Sequence, residues 1–264
     1  MASFGLIIIG DEILSGKRQD KHFAKVVELL GARGLELAWA RYLGDDRERL
    51  VATLRETLAG PDVVFSCGGI GATPDDHTRQ AAAAALGVPL ALHPQAGRLI
   101  TERTVEMARE GKASPDMDAP ENRQRLKMGE FPLGASIVPN PFNRIPGFNV
   151  AQHWFVPGFP VMAWPMIEAV LDTHYAHLFH REARDDRSMR VFELAESTLT
   201  PLMEAVEREF SGIKVYSLPS VGEGGLRRHI ELGAKGAQAE VAPAFERLRA
   251  GVLALGGLID PSHG

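Results

Sequence analysis

The first 90 residues alternate between apolar runs and amphipathic stretches. Phe4–Ile9 (FGLIII) is continuous and apolar, which predicts a strand covered on both faces. Residues 20–30 carry apolar side chains at three- and four-residue spacing, which predicts a helix ended by the glycines that follow. The same order then repeats, with strands predicted at 35–43 and 63–67 and helices at 46–58 and 73–86. This β-α-β-α-β-α order predicts a parallel, doubly wound sheet.

The pattern is less regular in the middle of the chain. Residues 94–130 are polar and predict helices joined by a loop. Short strands are predicted at 136–139 and 153–156, separated by the turn-rich segment PNPFNRIPG (139–147). The turn PGFP (157–160) then precedes a helix predicted at 163–179.

A second domain is predicted after a run of charges. Residues 181–188 (REARDDRS) favour a linker, which divides the chain into domains at 1–182 and 188–264. The later part predicts strands at 189–195, 213–218 and 225–232, and helices at 200–210 and 237–254. This βαββα order is typical of a small α+β module.

Composition narrows the class of protein. The 264 residues are 45% hydrophobic and 24% charged, with a net charge of −5, so a nucleic-acid partner is not expected. Cys67 is the single cysteine and ends an apolar run, which favours a buried side chain and a reducing compartment. The N-terminal apolar run is too short for a membrane span and lacks a basic flank. We expect a cytoplasmic protein with no membrane partner.

Acidic residues follow each of the first three predicted strands. Asp11 and Glu12 follow Gly10, and Asp45 and Asp46 follow Gly44. The third strand leads into a glycine-rich turn with Gly68, Gly69 and Gly71, followed by Asp75 and Asp76. Ligands bind beyond the carboxyl ends of strands in such sheets, so these residues predict a site at one edge.

Two interpretations of these carboxylates remain open. Thr73, Pro74 and Asp76 fit a capping box, and Asp45 or Asp46 fits a helix N-cap, with Asp11 and Glu12 solvated. Alternatively, Mg²⁺ or another divalent cation lies between the carboxylates and a phosphate. The N–H groups of the glycine turn would then hold a phosphate oxygen.

The same residues resemble a known family. GDEILSG (10–16), YLGDD (42–46) and GGIGATPDDHTR (68–79) match, in order, motifs of the MoaB/Mog molybdopterin-binding domain. The match is similar above all to the version in competence/damage-inducible protein A (CinA), and it continues through ENR (121–123), LGASIVPNP (133–141), IPGF (145–148) and FVPGFP (155–160). The segment from about residue 190 to 255 is similar to the small domain that follows in those proteins.

The resemblance implies an α/β/α sandwich with a mostly parallel sheet and a pocket for a phosphorylated pterin, such as molybdopterin, or a nucleotide. It implies catalytic roles for Asp45 and Asp76, and we add Asp11 and Glu12 to them as metal ligands. The expected ligand contacts are Gly10, Gly68, Gly69, Gly71, Thr73, Asn122, Arg123, Pro157 and Gly158. Relatives form dimers or trimers, so a homo-oligomer is expected.

Function remains open between three alternatives. The chain binds a molybdopterin-like ligand without turnover, or it is an enzyme, or it serves as an oligomeric interaction protein. The enzyme would be a metal-dependent pyrophosphatase for ADP-ribose or FAD-like dinucleotides, or it would catalyse adenylyl transfer. CinA proteins often carry a further amidohydrolase domain, and this sequence ends before one, so deamidation is not implied. The family usually has Glu-Met shortly after its Pro-Gly turn, whereas this sequence reads PGFPVMAWPM (157–166).

Overall fold

The computed structural model describes residues 3–181, 183–222 and 227–261. The chain divides into two compact units, Met1–Phe179 and His180–Gly264. In the described part of the chain, no helix combines the length and the apolar character that a membrane span requires.

The first unit contains eight strands and seven α-helices among its described residues. The strands are β1 (Phe4–Ile9), β2 (Leu37–Leu43), β3 (Val63–Cys67), β4 (Leu90–Leu92), β5 (Glu130–Pro132), β6 (Ser136–Val138), β7 (Gly147–Val150) and β8 (His153–Val156). The helices are α1 (Asp11–Leu14), α2 (His22–Gly31), α3 (Arg47–Leu58), α4 (Thr78–Leu86), α5 (Pro94–Arg109), α6 (Pro120–Leu126) and α7 (Pro160–Val170).

Six of these strands form one mixed sheet in the order β2-β1-β3-β8-β7-β6. Strands β2, β1, β3 and β8 are mutually parallel, whereas β7 runs antiparallel to both of its neighbours. Strands β4 and β5 form a separate antiparallel ribbon. The carboxyl ends of four parallel strands therefore meet at one edge.

Helices cover both faces of the sheet, as the apolar runs predict. Within β1, Phe4, Leu6 and Ile8 face one core cluster, which also contains residues of α2 and α7. Ile7 and Ile9 face the other cluster, with residues of α3 and α4. Because successive side chains of a strand point to opposite faces, a continuous apolar run buries both. This confirms the three-layer α/β/α fold with a mostly parallel sheet.

Several predicted boundaries in this unit are wrong. The helix expected at 73–86 begins at Thr78, because residues 73–76 close a separate turn in which Thr73 accepts from the Asp76 N–H at 3.1 Å. The helix expected at 163–179 begins at Pro160 and changes at Leu171–Tyr175 to a π-helical turn. The pattern also missed β4, β5 and β7, which have only three or four residues each.

The second unit is an antiparallel sheet with two helices, which confirms the predicted small α+β architecture. Its elements are β9 (Arg184–Phe192), α8 (Glu196–Glu209), β10 (Ile213–Ser220), β11 (His229–Ala237), α9 (Gln238–Ala254) and β12 (Leu258–Ile259). The strand order is β10-β11-β9-β12. Its core includes Met189 and Val191 of β9 and Leu232 of β11.

The charged segment predicted to be a linker is largely part of β9. Its residues pair with β11 from Arg184 opposite Ala237 to Ser188 opposite Gly233. Pairing of the backbone with β11 therefore places this segment in a strand despite its polar side chains. Asp186 also accepts a bond from the Tyr216 hydroxyl at 2.7 Å. Of the strand predicted at 225–232, residues 225 and 226 lie outside the described residues.

Candidate ligand-binding site

Four segments meet beyond the carboxyl ends of the parallel strands. Residues 10–12 follow β1, residues 44–46 follow β2, residues 68–79 follow β3, and Pro157-Gly158 follow β8. Hydrogen bonds join the segments. The Gly10 N–H donates to the Leu43 carbonyl, and the Gly68 N–H donates to the Val156 carbonyl, both at 3.0 Å. The predicted convergence of the acidic loops and the glycine turn is thus present in the structure.

Asp11 and Asp45 hold each other's backbone. The Asp11 N–H donates to Asp45 Oδ2 at 2.9 Å, and the Asp45 N–H donates to Asp11 Oδ1 at 3.2 Å. A Cβ on Gly44 would lie 2.4 Å from Asp11 Oδ1, so a larger residue there would displace that carboxylate oxygen. The reciprocal pair fixes two carboxylates side by side although their charges repel.

Carboxylates line an open cleft of about 600 Å³ next to this pair. Its lining includes Asp11, Glu12, Asp45 and Asp75, with Lys17 as the cation. Burial raises the pKa of Asp45, the negative charges of the other three raise it further, and the bond from the Asp11 N–H opposes both. The cleft therefore favours a ligand group that brings positive charge or hydrogen-bond donors.

The fit to a metal ion is partial. In the described part of the chain, no three His, Cys, Asp or Glu side chains are grouped closely enough to hold a metal ion by themselves. Mg²⁺ needs only one or two carboxylates when phosphate and water complete its shell, and the cleft offers these. Asp11, Glu12 and Asp45 line the cleft, whereas Asp76 does not. The metal assignment to these four residues stays a prediction.

The glycine turn requires glycine at two positions. Gly68 has φ of 112°, and a Cβ there would lie 2.3 Å from the carbonyl oxygen of Ile9. Gly69 has φ of 68°, and its Cβ would lie 2.2 Å from Thr78 Oγ1. The turn therefore packs directly against β1 and against the first residue of α4.

Four carbonyl groups of this turn, those of residues 68, 69, 71 and 72, accept hydrogen bonds from the protein. Thr78 Oγ1 donates to the Gly68 carbonyl at 3.0 Å, and the Thr78 N–H donates to the Gly69 carbonyl at 3.0 Å. Arg79 Nη2 donates to the Gly71 carbonyl and Gln124 Nε2 to the Ala72 carbonyl, both at 2.5 Å.

This arrangement leaves donors on the opposite side of the turn. The C=O and the next N–H of a trans peptide point in opposite directions, and the described residues contain no cis peptide. Fixing the carbonyls of residues 68, 69 and 71 therefore points the N–H groups of residues 69, 70 and 72 away from those partners. Within the described residues, no group accepts a bond from the N–H groups of 69–72. Successive free N–H groups form an anion-binding concavity.

Thr73 and Asp76 bind each other rather than facing this concavity. Asp76 Oδ2 accepts from the Thr73 N–H at 2.9 Å and, at shorter range, from the Thr73 hydroxyl. This is the reciprocal half of the expected capping box, but it closes a turn that ends before the helix. The predicted phosphate contact from Thr73 and the catalytic role of Asp76 both stay predictions.

Gly158 places the Pro-Gly turn beside the glycine turn. A Cβ on Gly158 would lie 3.4 Å from the Gly68 Cα. The buried His22 fixes this turn through a bond between its Nε2 and the Gly158 carbonyl at 3.0 Å. Because a carbonyl only accepts, Nε2 carries the proton. Gly158 thus lies beside the glycine turn, and ligand contact by Pro157 and Gly158 stays a prediction.

The structure places Asn122 and Arg123 differently. Asn122 is buried and donates to the carbonyls of Ser114 and Asp116 at 2.9 and 2.7 Å, while Arg125 Nη1 donates to its Oδ1 at 2.5 Å. Its described contacts brace a loop. Arg123 is exposed and forms an ion pair with Asp118 at 3.4 Å. Ligand contact by either residue stays a prediction.

Sequence reasoning missed three residues of the site, Thr78, Arg79 and Gln124, which bind carbonyls of the turn. Of the two carboxylates expected after the turn, Asp75 lines the acidic cleft and Asp76 does not. The available signal was the pair Thr-Arg at the end of the GGIGATPDDHTR motif. The pair was overlooked because the helix was expected to begin at residue 73, which placed Thr78 and Arg79 inside it rather than at its start.

Comparison with known proteins agrees with this architecture. Residues 5–177 match the model of a family described as a probable molybdopterin binding domain. A CinA-like protein of Anaeromyxobacter sp. strain Fw109-5 is 38% identical over 160 residues, 59% of this chain and 37% of that protein. A CinA-like protein of Syntrophotalea carbinolica is 30% identical over 223 residues, 79% of this chain and 51% of that protein. This chain thus spans about half, or less, of these relatives.

A solved structure shows the same fold over about two thirds of this chain. The crystal structure of the protein CinA from Thermoplasma acidophilum, described as being of unknown function, superposes with a TM-score of 0.54 at 25% identity. The match covers 64% of this chain and 97% of that one.

Proposed function

Because this chain belongs to the probable molybdopterin-binding domain family over residues 5–177, we propose that it binds a phosphorylated pterin of the molybdopterin type, or an adenine nucleotide. The observation that carries the proposal is the set of N–H groups at residues 69–72, which have no acceptor in the described part of the chain. They provide an anion site at the carboxyl edge of a parallel sheet, where phosphate ligands bind in this class of fold.

The acidic cleft suits the other end of such a ligand. The aminopyrimidine ring of a pterin and the amino group of adenine present N–H donors. Carboxylates accept such bonds, and Asp11 and Asp45 lie next to the glycine turn. A ligand with a phosphate at one end and ring N–H donors at the other would match the two parts of the site in sign.

Titration calorimetry tests the proposal with two pairs of compounds. A pterin phosphate is compared with the same pterin lacking phosphate, and AMP is compared with adenosine. We expect binding of at least one phosphorylated compound and at least roughly tenfold weaker binding of its partner, the effect of losing about 1.4 kcal/mol of phosphate contacts. Equal affinity within both pairs, or no binding of any compound, would contradict the proposal.

A second candidate function rests on the grouping of Asp11, Glu12 and Asp45 in the cleft. Burial raises the pKa of Asp45 and the neighbouring carboxylates raise it further, which is an arrangement that a divalent cation would relieve. When bound, such a cation would stabilise negative charge on a pyrophosphate. Asp11, Glu12 and Asp45 would hold it together with phosphate oxygens, and the glycine turn would orient the phosphate. The chain would then be a pyrophosphatase for ADP-ribose or FAD-like dinucleotides.

Hydrolysis assays separate the two candidates. AMP release from ADP-ribose and from FAD is measured with Mg²⁺, Mn²⁺ or Co²⁺ and with EDTA, for wild type, Asp45→Asn and Asp76→Asn. A pyrophosphatase should show metal-dependent release, reduced about a hundredfold or more in Asp45→Asn. Absence of release with every metal, together with phosphate-dependent binding, would leave a binding protein. The homo-oligomer also stays a prediction, and sedimentation would test it.

A further inference from the structure

Arg79 is a cation buried beneath the glycine turn. Its side chain is only 3% exposed, and its described partners are main-chain carbonyl oxygens. Nη2 donates to Gly71, while Nη1 contacts the carbonyls of Lys127 and Glu130. Burial lowers the pKa of Arg79, with Glu130 and Asp76 acting in the opposite direction. A guanidinium nevertheless stays charged in a protein, so this burial costs free energy.

The position of Arg79 explains what the buried guanidinium contributes to the structure. The residue lies in the first turn of α4, from which its side chain reaches back to Gly71 and across to residues 127–130. It therefore joins two segments that are distant in sequence. Its planar fork holds carbonyls of both segments at once, and a lysine ammonium lacks that fixed geometry.

We propose that Arg79 is the positioning residue of the phosphate site, an inference that rests on the proposed function. By binding the Gly71 carbonyl, it turns that peptide so that the Ala72 N–H points to the ligand side. Its positive charge lies behind the turn and adds to the attraction for phosphate. A buried cation therefore supports the turn that would bind phosphate next to the acidic cleft.

The test compares Arg79→Lys with Arg41→Lys. Arg41 forms an exposed ion pair with Glu56 on β2 and α3, so its replacement controls for the same change of side chain. Arg79→Lys should weaken binding of AMP or the pterin phosphate roughly tenfold, and binding of adenosine or the unphosphorylated pterin less than about twofold. Hydrogen exchange of the amides in residues 68–76 should become faster, which needs no ligand. Arg41→Lys should change neither.

Gln124→Ala keeps the inference testable if Arg79→Lys does not fold. Gln124 is exposed and binds the next carbonyl of the same turn, that of Ala72. Its loss should weaken phosphate-dependent binding by a smaller factor, about threefold. If wild type prefers the phosphorylated compounds and both variants keep that preference and exchange rate, Arg79 is not a positioning residue. If wild type itself shows no preference, the proposed function fails as well.

Discussion

The glycine turn and the acidic cleft are neighbours that differ in how their polar groups are paired. In the turn, Thr78, Arg79 and Gln124 bind the carbonyls, and Thr73 binds the carboxylate of Asp76. In the cleft, carboxylates of different loops are held together although each raises the pKa of Asp45. Among the described residues, the turn presents N–H groups without an acceptor, whereas the cleft groups carboxylates that accept backbone bonds from each other's loops.

This difference indicates which parts are fixed and which respond to a ligand. A turn with satisfied carbonyls needs little reorganisation when an anion binds, because its N–H groups are already oriented. Carboxylates that repel each other gain most when a cation or a ring N–H arrives. The following experiments perturb the two regions separately, in order of decreasing expected effect.

Gly68→Ala should have the largest effect on stability, because the substitution lies in the tightly packed glycine turn. The new Cβ would lie 2.3 Å from the Ile9 carbonyl oxygen at φ of 112°. We expect a loss of about 3 kcal/mol or more in the free energy of unfolding, measured by denaturant titration. Gly87→Ala is the matched control, with φ of 70° and no atom within 4 Å of its Cβ. Equal losses in the two variants would show that the turn is not tightly packed.

Thr78→Val should have the next largest effect. It removes the hydroxyl that binds the Gly68 carbonyl in a fully buried position. An unsatisfied buried carbonyl costs about 1–3 kcal/mol, and phosphate-dependent binding should weaken as well. Thr78→Ser keeps the hydroxyl and should retain the affinity measured by calorimetry. If Thr78→Val binds as wild type does, orientation of the Gly69 peptide does not depend on this bond.

Asp45→Asn should stabilise the protein while impairing the site. Its raised pKa means that the folded wild-type chain holds the Asp45 proton more tightly than the unfolded chain does. Wild-type stability therefore falls as pH rises from the ordinary carboxyl range through the raised value. The Tm of Asp45→Asn should exceed that of wild type at pH 7, less so in high salt, and the gain should disappear at acidic pH.

Asp46→Asn is the control for that measurement. Asp46 caps α3 by accepting from the Arg49 N–H at 2.7 Å and does not line the cleft. An asparagine still caps, so its Tm should stay close to that of wild type. A gain as large as that of Asp45→Asn would point to net charge rather than to the cleft.

Asp75→Asn should have the smallest effect. Asp75 is exposed, and the nearby Thr73 side chain lowers its pKa, yet its charge is one of those that raise the pKa of Asp45. We expect a small downward shift of the Asp45 pKa, measured by NMR titration of its carboxyl carbon, with little change in Tm. An unchanged Asp45 titration would place Asp75 outside the electrostatic cluster.

The sequence was sufficient for the parts that depend on local pattern. Apolar runs and helical spacing predicted β1, α2, β2, α3 and β3, because buried parallel strands and amphipathic helices leave regular signals. The meeting of Asp11 and Asp45 followed from the rule that parallel strands end at one edge. These inferences require only neighbours in sequence and a general rule of topology.

The rest depends on contacts between distant segments. Arg79 binds carbonyls at residues 127–130, and Gln124 binds the carbonyl of Ala72, and neither partner leaves a local pattern. Asn122 is buried by its contacts with the carbonyls of Ser114 and Asp116, and ligand contact by Asn122 stays a prediction. Thr73 binds the carboxylate of Asp76, whose catalytic role likewise stays a prediction.

The anchoring of the glycine turn also bears on how far its motif can be transferred. The letters GGIGATPDDHTR include Thr78 and Arg79, but the carbonyls that complete the hold on Arg79 belong to residues 127–130. A designed protein that contained residues 68–79 alone would lack the carbonyls of residues 127–130. Its loop would be flexible, and the Arg79 guanidinium would lack part of its acceptors. A search for new phosphate-binding proteins of this kind should therefore combine the loop at residues 68–79 and the segment at residues 127–130 in one pattern.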